Sequence, residues 1–409
     1  MSNTNSTLNR SYSKLVLLAA ILVLISIAPQ RTQAQTEVVL HSFSANSDGC
    51  NPLAGLLLAK NVLYGTTTGC GPTGWGTVFK IAVHKKAAKD KEKIFYAFKG
   101  TPDAFLPESG VIQDAEGNLY GSTCCGGATN HGSIFELSVL QGGKPKETVL
   151  YNFVGGADGF GPTGQLAMDG AGNFYGTAAG GDSECDPPSG CSIVFKVTPQ
   201  GTEQVLHSFS GSPDGATPYD AGVVVDGAGN LYGTTIVGGT FGLGTVFEVT
   251  STGSEKILYN FAGGSDGAYP QAGLVRDAQG NLYGTTAGGG DTGLGVVFEV
   301  TASGVEKVLH TFAGTPDGNY PYANVTLDAQ GNVYGTTYYG GTANAGTVFK
   351  ITAAGVESVL YSFLDSPDGA HPVAGVVLDS KGNLYGTTIF GGGTECSPYG
   401  CGTVFEVVP

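Results

Sequence analysis

The phrase DAQGNLYGTT, Asp277 to Thr286, recurs in close copies along the whole chain, and that repetition constrains the fold more than any single residue does. The copies centre on Tyr64, Tyr120, Tyr175, Tyr232, Tyr283, Tyr334 and Tyr385, at spacings of 56, 55, 57, 51, 51 and 51 residues. A period of this length belongs to units that bury their apolar faces only by stacking on one another.

Each unit reads as four strands. In the fifth these are Gln271 to Asp277, Leu282 to Thr286, Gly295 to Thr301 and Glu306 to Phe312, all rich in Val, Thr, Phe and Tyr and separated by Gly, Asn, Asp and Pro. The first turn is spelled D-x-x-G-N from Asp114, Asp169, Asp226, Asp277, Asp328 and Asp379, and shortens to Ala59-Lys60-Asn61 in the first unit. Asp caps such a turn with its side chain and Gly supplies a positive φ. No helical period of useful length follows residue 34, so an all-β fold is expected.

The phase of the repeat fixes the topology. Thr36 to Phe43 is a fourth strand without the first three, and Gly402 to Val408 is a third strand without a fourth. Joined, they complete one unit. This predicts a seven-bladed β-propeller of four-stranded blades over residues 35–409, closed by the N-terminal strand in the last blade, with no strand edge left open. Strands near the axis must be slim, as Gly284 and Thr286 are, while the Tyr of each phrase points to the opposite face and packs between blades.

The first 34 residues differ in kind. Arg10 and Lys14 precede an apolar run from Leu15 to Ala28, and Ala34 ends a small-residue cleavage site, the pattern of a secretory signal peptide. The run is shorter than the roughly 20 residues that span a bilayer. Without this segment the chain carries 16 basic and 34 acidic residues, a net charge of −18 that disfavours nucleic acid and anionic lipid. A secreted, monomeric protein without a membrane anchor or cofactor is expected.

Eight cysteines suit an oxidising compartment. Cys185 with Cys191, and Cys396 with Cys401, each lie in one short turn-rich segment and are expected to bridge their own loops. Cys50, Cys70, Cys124 and Cys125 allow three connectivities, and their spacing and lack of a companion His do not suit zinc.

The stretches DAQGNLYGTTAGGG, GVVFEVT and EKVLHTFAGTPDGNYP resemble the GloVer tandem repeat of secreted bacterial proteins described as choice-of-anchor, over essentially the whole chain after the leader. The resemblance implies export and repetition, but no activity attached to particular residues; the sorting tail of some relatives has no counterpart here. Kelch-like propellers are a more distant likeness, carried by Gly pairs such as Gly238-Gly239. The Trp expected in each kelch blade is missing, Trp75 being the sole one.

Two sets of links should share one face of the ring, those joining strand four to strand one and those joining strand two to strand three, and rigidly held loops are where ligands are met. The first set repeats D-G-x-x-P at Asp48, Asp158, Asp214, Asp266, Asp317 and Asp368, with Asp103 followed by Ala. Asp before Gly is turn chemistry, and carboxylates spread around a ring lie too far apart to share one ion. More informative are positions where the units disagree. Near the Pro stand Phe105, Phe160, Tyr219, Tyr269, Tyr320, Tyr322 and His371; the other links offer Trp75, Phe241, Tyr338, Tyr339, Phe390 and Tyr399. Aromatic faces beside acids and amides suit neutral, hydroxyl-rich ligands such as glycans. A non-catalytic module for a glycan or an extracellular protein is therefore expected, through Trp75, Phe105, Phe160, Tyr269, Tyr320, Tyr338, Tyr339, His371 and Phe390.

The alternative is an extracellular polysaccharide hydrolase or lyase using acids such as Asp182, Glu184 or Glu395. Other catalytic spellings dissolve on inspection. G-x-S-x-G at Gly263 to Gly267 and G-x-G-x-x-G at Gly159 to Gly164 lack the helix that either motif requires. His41, His207 and His310 share a slot with Tyr96, Tyr151, Tyr259 and Tyr361, which reads as packing.

Overall fold

The computed structural model describes residues 36–83, 92–139, 144–181, 192–218, 221–393, 395–396 and 398–408. The expected leader, the Cys185 and Cys191 pair, Asp182, Glu184 and Tyr219 lie outside them. Among the described residues the only helical piece is a short 3-10 turn, Gly156–Asp158. Everything else regular among them is strand, in seven four-stranded antiparallel sheets and five two-stranded ribbons.

Each of these sheets is a blade, and in the first six the strands run in chain order. Blade one runs Leu57–Ala59, Val62–Thr67, Thr77–Ala82 and Glu92–Ala97; blade five runs Val275–Arg276, Leu282–Thr286, Val296–Val300 and Glu306–Thr311. Blade seven takes Val377–Leu378, Leu384–Thr388 and Thr403–Val408 from the end of the chain and Thr36–Ser42 from its beginning, paired antiparallel from Thr36 opposite Val408 to Ser42 opposite Thr403. The protein is thus a seven-bladed β-propeller closed as its repeat phase requires.

Hydrogen bonds run around the hub from blade to blade. The penultimate hydroxyl of strand two donates to the innermost carbonyl of the next blade: Thr66 to Ser109, Thr234 to Ala272, Thr285 to Ala323, Thr336 to Ala374. Thr387 donates to Ala54 at 3.3 Å and joins blade seven to blade one.

The core lies between blades. Phe312, directly after strand four of blade five, meets Phe349 of blade six edge to face at 5.2 Å, and the same contact joins Phe43 to Phe79 across the closure at 5.0 Å. Tyr175, Tyr334 and Tyr385 pack in these inter-blade clusters, as the Tyr stripe predicts. The Gly of each phrase has a more local cause than crowding at the axis. Gly284 sits directly across from Phe298, and a Cβ there would lie 2.7 Å from the tip of the Phe ring. The ring of the neighbouring strand fills the space that Gly leaves.

The turn that opens each phrase is a clasp. Asp277 accepts hydrogen bonds from the backbone N–H groups of Gln279 and Asn281 on one oxygen and from Asn281 Nδ2 and Tyr283 Oη on the other. Burial alone would raise its pKa, yet these donors pull it below its ordinary value. In the first unit Lys60 and Asn61 both adopt positive φ, 50° and 64°, a two-residue hairpin turn that needs no Asp.

Candidate functional site

On the upper face the two sets of links are not free loops. They pair with each other in five short ribbons, for example Gly267–Ala268 with Gly288–Gly289 and Gly318–Asn319 with Tyr339–Gly340, and through single bridges at Cys50 with Gly69 and Phe160 with Ala179. These two-residue pairings were not legible beforehand, because Gly-rich links carry no strand alternation.

The D-G-x-x-P carboxylates anchor the ribbons. Asp266 accepts from Tyr259 Oη and from the N–H groups of Ala262 and Gly267; Asp317 takes His310 Nε2 at 3.2 Å in the same position. The shared His/Tyr slot therefore does more than pack: besides meeting the following Phe edge to face, its ring hydrogen-bonds the Asp of its own link.

A Glu at the start of strand four in the next blade faces each of several of these Asp residues, and sequence reading missed it. Burial and the facing carboxylate raise Glu37 beside Asp368, Glu203 beside Asp158 and Glu306 beside Asp266 from 4.5 to about 7, and Glu147 beside Asp103 to about 8. The repeated E-x-V-L and E-x-I-L spellings were the available signal. Two of these groups, His207 with Asp214 and Glu255, and His310 with Asp317 and Glu357, bring three ligating atoms within 4.8 Å and could hold a cation. Tyr replaces the His in four other blades, so the arrangement belongs to the repeated frame.

Above this frame the side chains vary. The residue before each conserved Pro has left-handed φ in every blade: Asn51 55°, Leu106 56°, Gly161 56°, Thr217 57°, Tyr269 58°, Tyr320 53° and His371 56°. A bulky residue there carries strain of about 1–3 kcal/mol unless its surroundings over-determine it. Here two backbone bonds do so. Tyr320 donates its N–H to Leu294 of the preceding blade and accepts from the N–H of Tyr338 in its own, and His371 is held likewise by Ala345 and Ile389.

The residue pair after strand two also varies, through Thr68-Gly69, Cys124-Cys125, Ala179-Gly180, Ile236-Val237, Ala287-Gly288, Tyr338-Tyr339 and Ile389-Phe390. In blades six and seven these positions merge into one patch. Tyr338 stacks on His371 at 4.7 Å and meets Tyr322 at 5.5 Å, Tyr320 stacks on Tyr322 at 6.1 Å, and Tyr339 packs on Tyr338 at 4.6 Å. His371 reaches Phe390 at 5.8 Å, and Phe390 reaches the exposed Tyr399 at 5.2 Å. His371 Nδ1 lies 2.9 Å from the Tyr338 carbonyl oxygen, which fixes the imidazole plane. Burial, with neighbouring phenols, pushes the hydroxyls of Tyr322 and Tyr338 up, so they stay neutral donors.

Of the residues singled out from sequence, Tyr320, Tyr338, Tyr339, His371 and Phe390 come together. Trp75 and Phe105 form a separate pair at 4.7 Å between blades one and two, while Phe160 and Tyr269 stand apart, both partly exposed. Gly288 has no Cβ where the Tyr269 ring lies, 3.2 Å away. The hub is open as a cavity of about 440 Å³ whose rim is formed by the residue after each Pro, among them Leu53, Glu108, Thr163, Gln271, Tyr322 and Val373. Glu108 is the single acid among its described lining residues, and none of these is Lys or Arg. Glu395 is engaged elsewhere, accepting from Ser44 Oγ and tying its loop to the closing strand.

Disulfides join Cys50 to Cys70 and Cys396 to Cys401, the first choosing among the open connectivities and the second as expected. Cys124 and Cys125 are free thiols.

Fold and face together define a repeat-built propeller with a constant frame and a variable upper surface. The chain belongs to the Gloeobacter/Verrucomicrobia repeat family, which matches residues 23–220 and 186–405. No curated protein matches it in sequence. Among solved structures it is similar to a putative 6-phosphogluconolactonase from Bacteroides uniformis, at 15% identity and a TM-score of 0.51 over 81% of this chain and 88% of that one. It is similar also to the extracellular domain of a putative hybrid two component system from B. thetaiotaomicron, at 12% identity and 0.50 over 89% of this chain and 39% of that one. A gluconolactonase from Xanthomonas campestris follows at 11% and 0.38, over 72% and 82%. At these identities the likeness is one of fold.

Proposed function

We propose that this protein is an exported, non-catalytic binding module that holds a neutral glycan on the aromatic patch of blades six and seven. The observation that carries the reading is the seven-ring continuity from Tyr320 to Tyr399, built at positions where the repeats diverge, with the backbone of Tyr320 and of His371 each held by two hydrogen bonds. Stacking on sugar faces suits such rings, and the phenols supply hydrogen bonds. Rigid rings lose little entropy on binding. Export accords with the leader and with the two disulfides.

The runner-up is an extracellular hydrolase or lyase, and the lactonases of similar fold extend it to sugar lactones. Two-carboxylate sugar cleavage needs acids roughly 5 to 10 Å apart, and a phosphorylated substrate needs cationic donors. The described lining of the hub supplies one acid and no base, which favours binding. The test is a glycan array on the purified protein, run beside turnover assays on the same polysaccharides and on sugar lactones. Retention of a neutral glycan without turnover supports the module; turnover abolished by Glu108→Gln would replace it with the enzyme. Silence in both assays would remove the glycan and leave a protein partner.

A further inference from the structure

Blade two carries a feature that the glycan patch does not use. Where blade six has Tyr338-Tyr339, blade two has Cys124-Cys125, and their sulfurs lie 3.0 Å apart. Neither residue is fully exposed. Cys125 pairs with Phe105 across the ribbon, and Cys124 is bonded through its N–H to the Leu106 carbonyl. The backbone on both sides is therefore held while the sulfurs meet. We propose that Cys124 and Cys125 form a vicinal disulfide, a redox-sensitive modification site in the ribbon beside Glu108 at the mouth of the hub.

The 3.0 Å approach of the sulfurs and the pairing of the other described cysteines carry this independently of the glycan reading. The other four described cysteines are already oxidised in two pairs, so Cys50 and Cys70 are not available as partners. A vicinal pair is the remaining option of the three connectivities open to the first four cysteines. Burial pushes the Cys124 thiol well above its ordinary range, with Cys125 and the Glu108 carboxylate adding to the effect. A thiol held protonated is a poor nucleophile, so Cys124 enters as the second, closing thiol and makes the closure slow.

The reaction balances with a disulfide as oxidant, such as glutathione disulfide. Cys125 thiolate attacks one sulfur of the oxidant, giving a mixed disulfide and expelling one thiolate, which takes up a proton. Cys124 then loses its proton and attacks the Cys125 sulfur, expelling the second thiol. Two protein thiols lose two electrons and two protons, and one oxidant disulfide becomes two thiols. The product ring contains a single peptide bond and stiffens the ribbon opposite Phe105.

The test equilibrates the folded full-length protein with excess glutathione disulfide, quenches with acid, alkylates with N-ethylmaleimide under denaturing conditions and maps the peptides by mass. The expected peptide containing Cys124 and Cys125 is unalkylated, free of glutathione and lighter than its reduced form by two hydrogens; dithiothreitol treatment restores that mass and two alkylation sites. Alkylation of both thiols, a persistent glutathione adduct, or linkage of either to Cys185, Cys191 or a second copy of the chain overturns the proposal. The Cys50–Cys70 peptide in the same digest reports that oxidation was maintained.

Discussion

The ribbon of blade four and the ribbon of blade six share a backbone and differ in what they display. Thr217 and Tyr320 both hold left-handed φ before a Pro, and both accept a hydrogen bond from the residue after strand two. Above that common geometry blade four shows Ile236 and Val237, and blade six shows Tyr338 and Tyr339. The difference teaches that frame and surface are separable. The frame is specified by Asp, Gly, Pro and Phe positions whose side chains are consumed in bonding backbone or filling the core. The surface is left to residues whose backbone is already fixed.

The largest expected effect comes from attacking the frame. Phe298→Ala removes the ring that covers Gly284 and packs on Phe261, and should lower unfolding free energy by about 3–5 kcal/mol in urea titration. A loss below about 1 kcal/mol would mean that blades do not depend on this contact. Next, Tyr338→Ala should weaken glycan binding by about 2 kcal/mol, or ~30-fold, by calorimetry, with the thermal midpoint unchanged. An equal loss from Phe241→Ala, in blade four, would erase the distinction between the patch and the rest of the rim.

A third prediction concerns pH, measured as the urea midpoint from pH 3 to 9. Glu37, Glu203 and Glu306 are raised from 4.5 to about 7, and Glu147 to about 8, by burial and a facing Asp. The folded chain then binds more protons than the unfolded one, so their contribution is complete below about pH 4.5 and lost as pH rises through 7 to 8. Asp277 and its repeats run the other way. Burial opposes their charge, but their turn donors lower them below 3.8, so their contribution is present above that value and lost as pH falls further. Stability should peak in mildly acidic solution, and Glu147→Gln should flatten the alkaline limb; a flat profile would break the facing-carboxylate account. The smallest effect is expected from the transplant Ile236→Tyr with Val237→Tyr, which should change stability by less than about 0.5 kcal/mol in the same titration.

Much of the frame was legible because its signals are local and repeated. D-x-x-G-N spells a hairpin, and the orphan strands at Thr36 and Thr403 imply closure whatever the packing details. The candidate site was legible only in part. Aromatic links pointed to the right face, but whether Tyr320 meets Tyr338 or stands alone like Phe160 depends on which blades adjoin, and adjacency of side chains across a link leaves no mark in composition. The left-handed residues were hidden for another reason: a residue before Pro ordinarily takes an extended conformation, and bonds from the preceding blade and from strand two are what override that preference. The Glu facing Asp recurs in the E-x-V-L and E-x-I-L spellings, but the carboxylate it faces lies in the link that precedes its blade, and the spelling does not name that partner.

The pairing of Thr36–Ser42 with Thr403–Val408 has a consequence for how the molecule assembles. The contact between the remotest segments of the described chain is also the one that shuts the circle, and loop-closure entropy opposes it until the intervening blades have shortened the gap. Six wedges can form by neighbour-to-neighbour growth. Only the fourth strand of the seventh must come from the far end of the chain, so its docking is expected late in assembly.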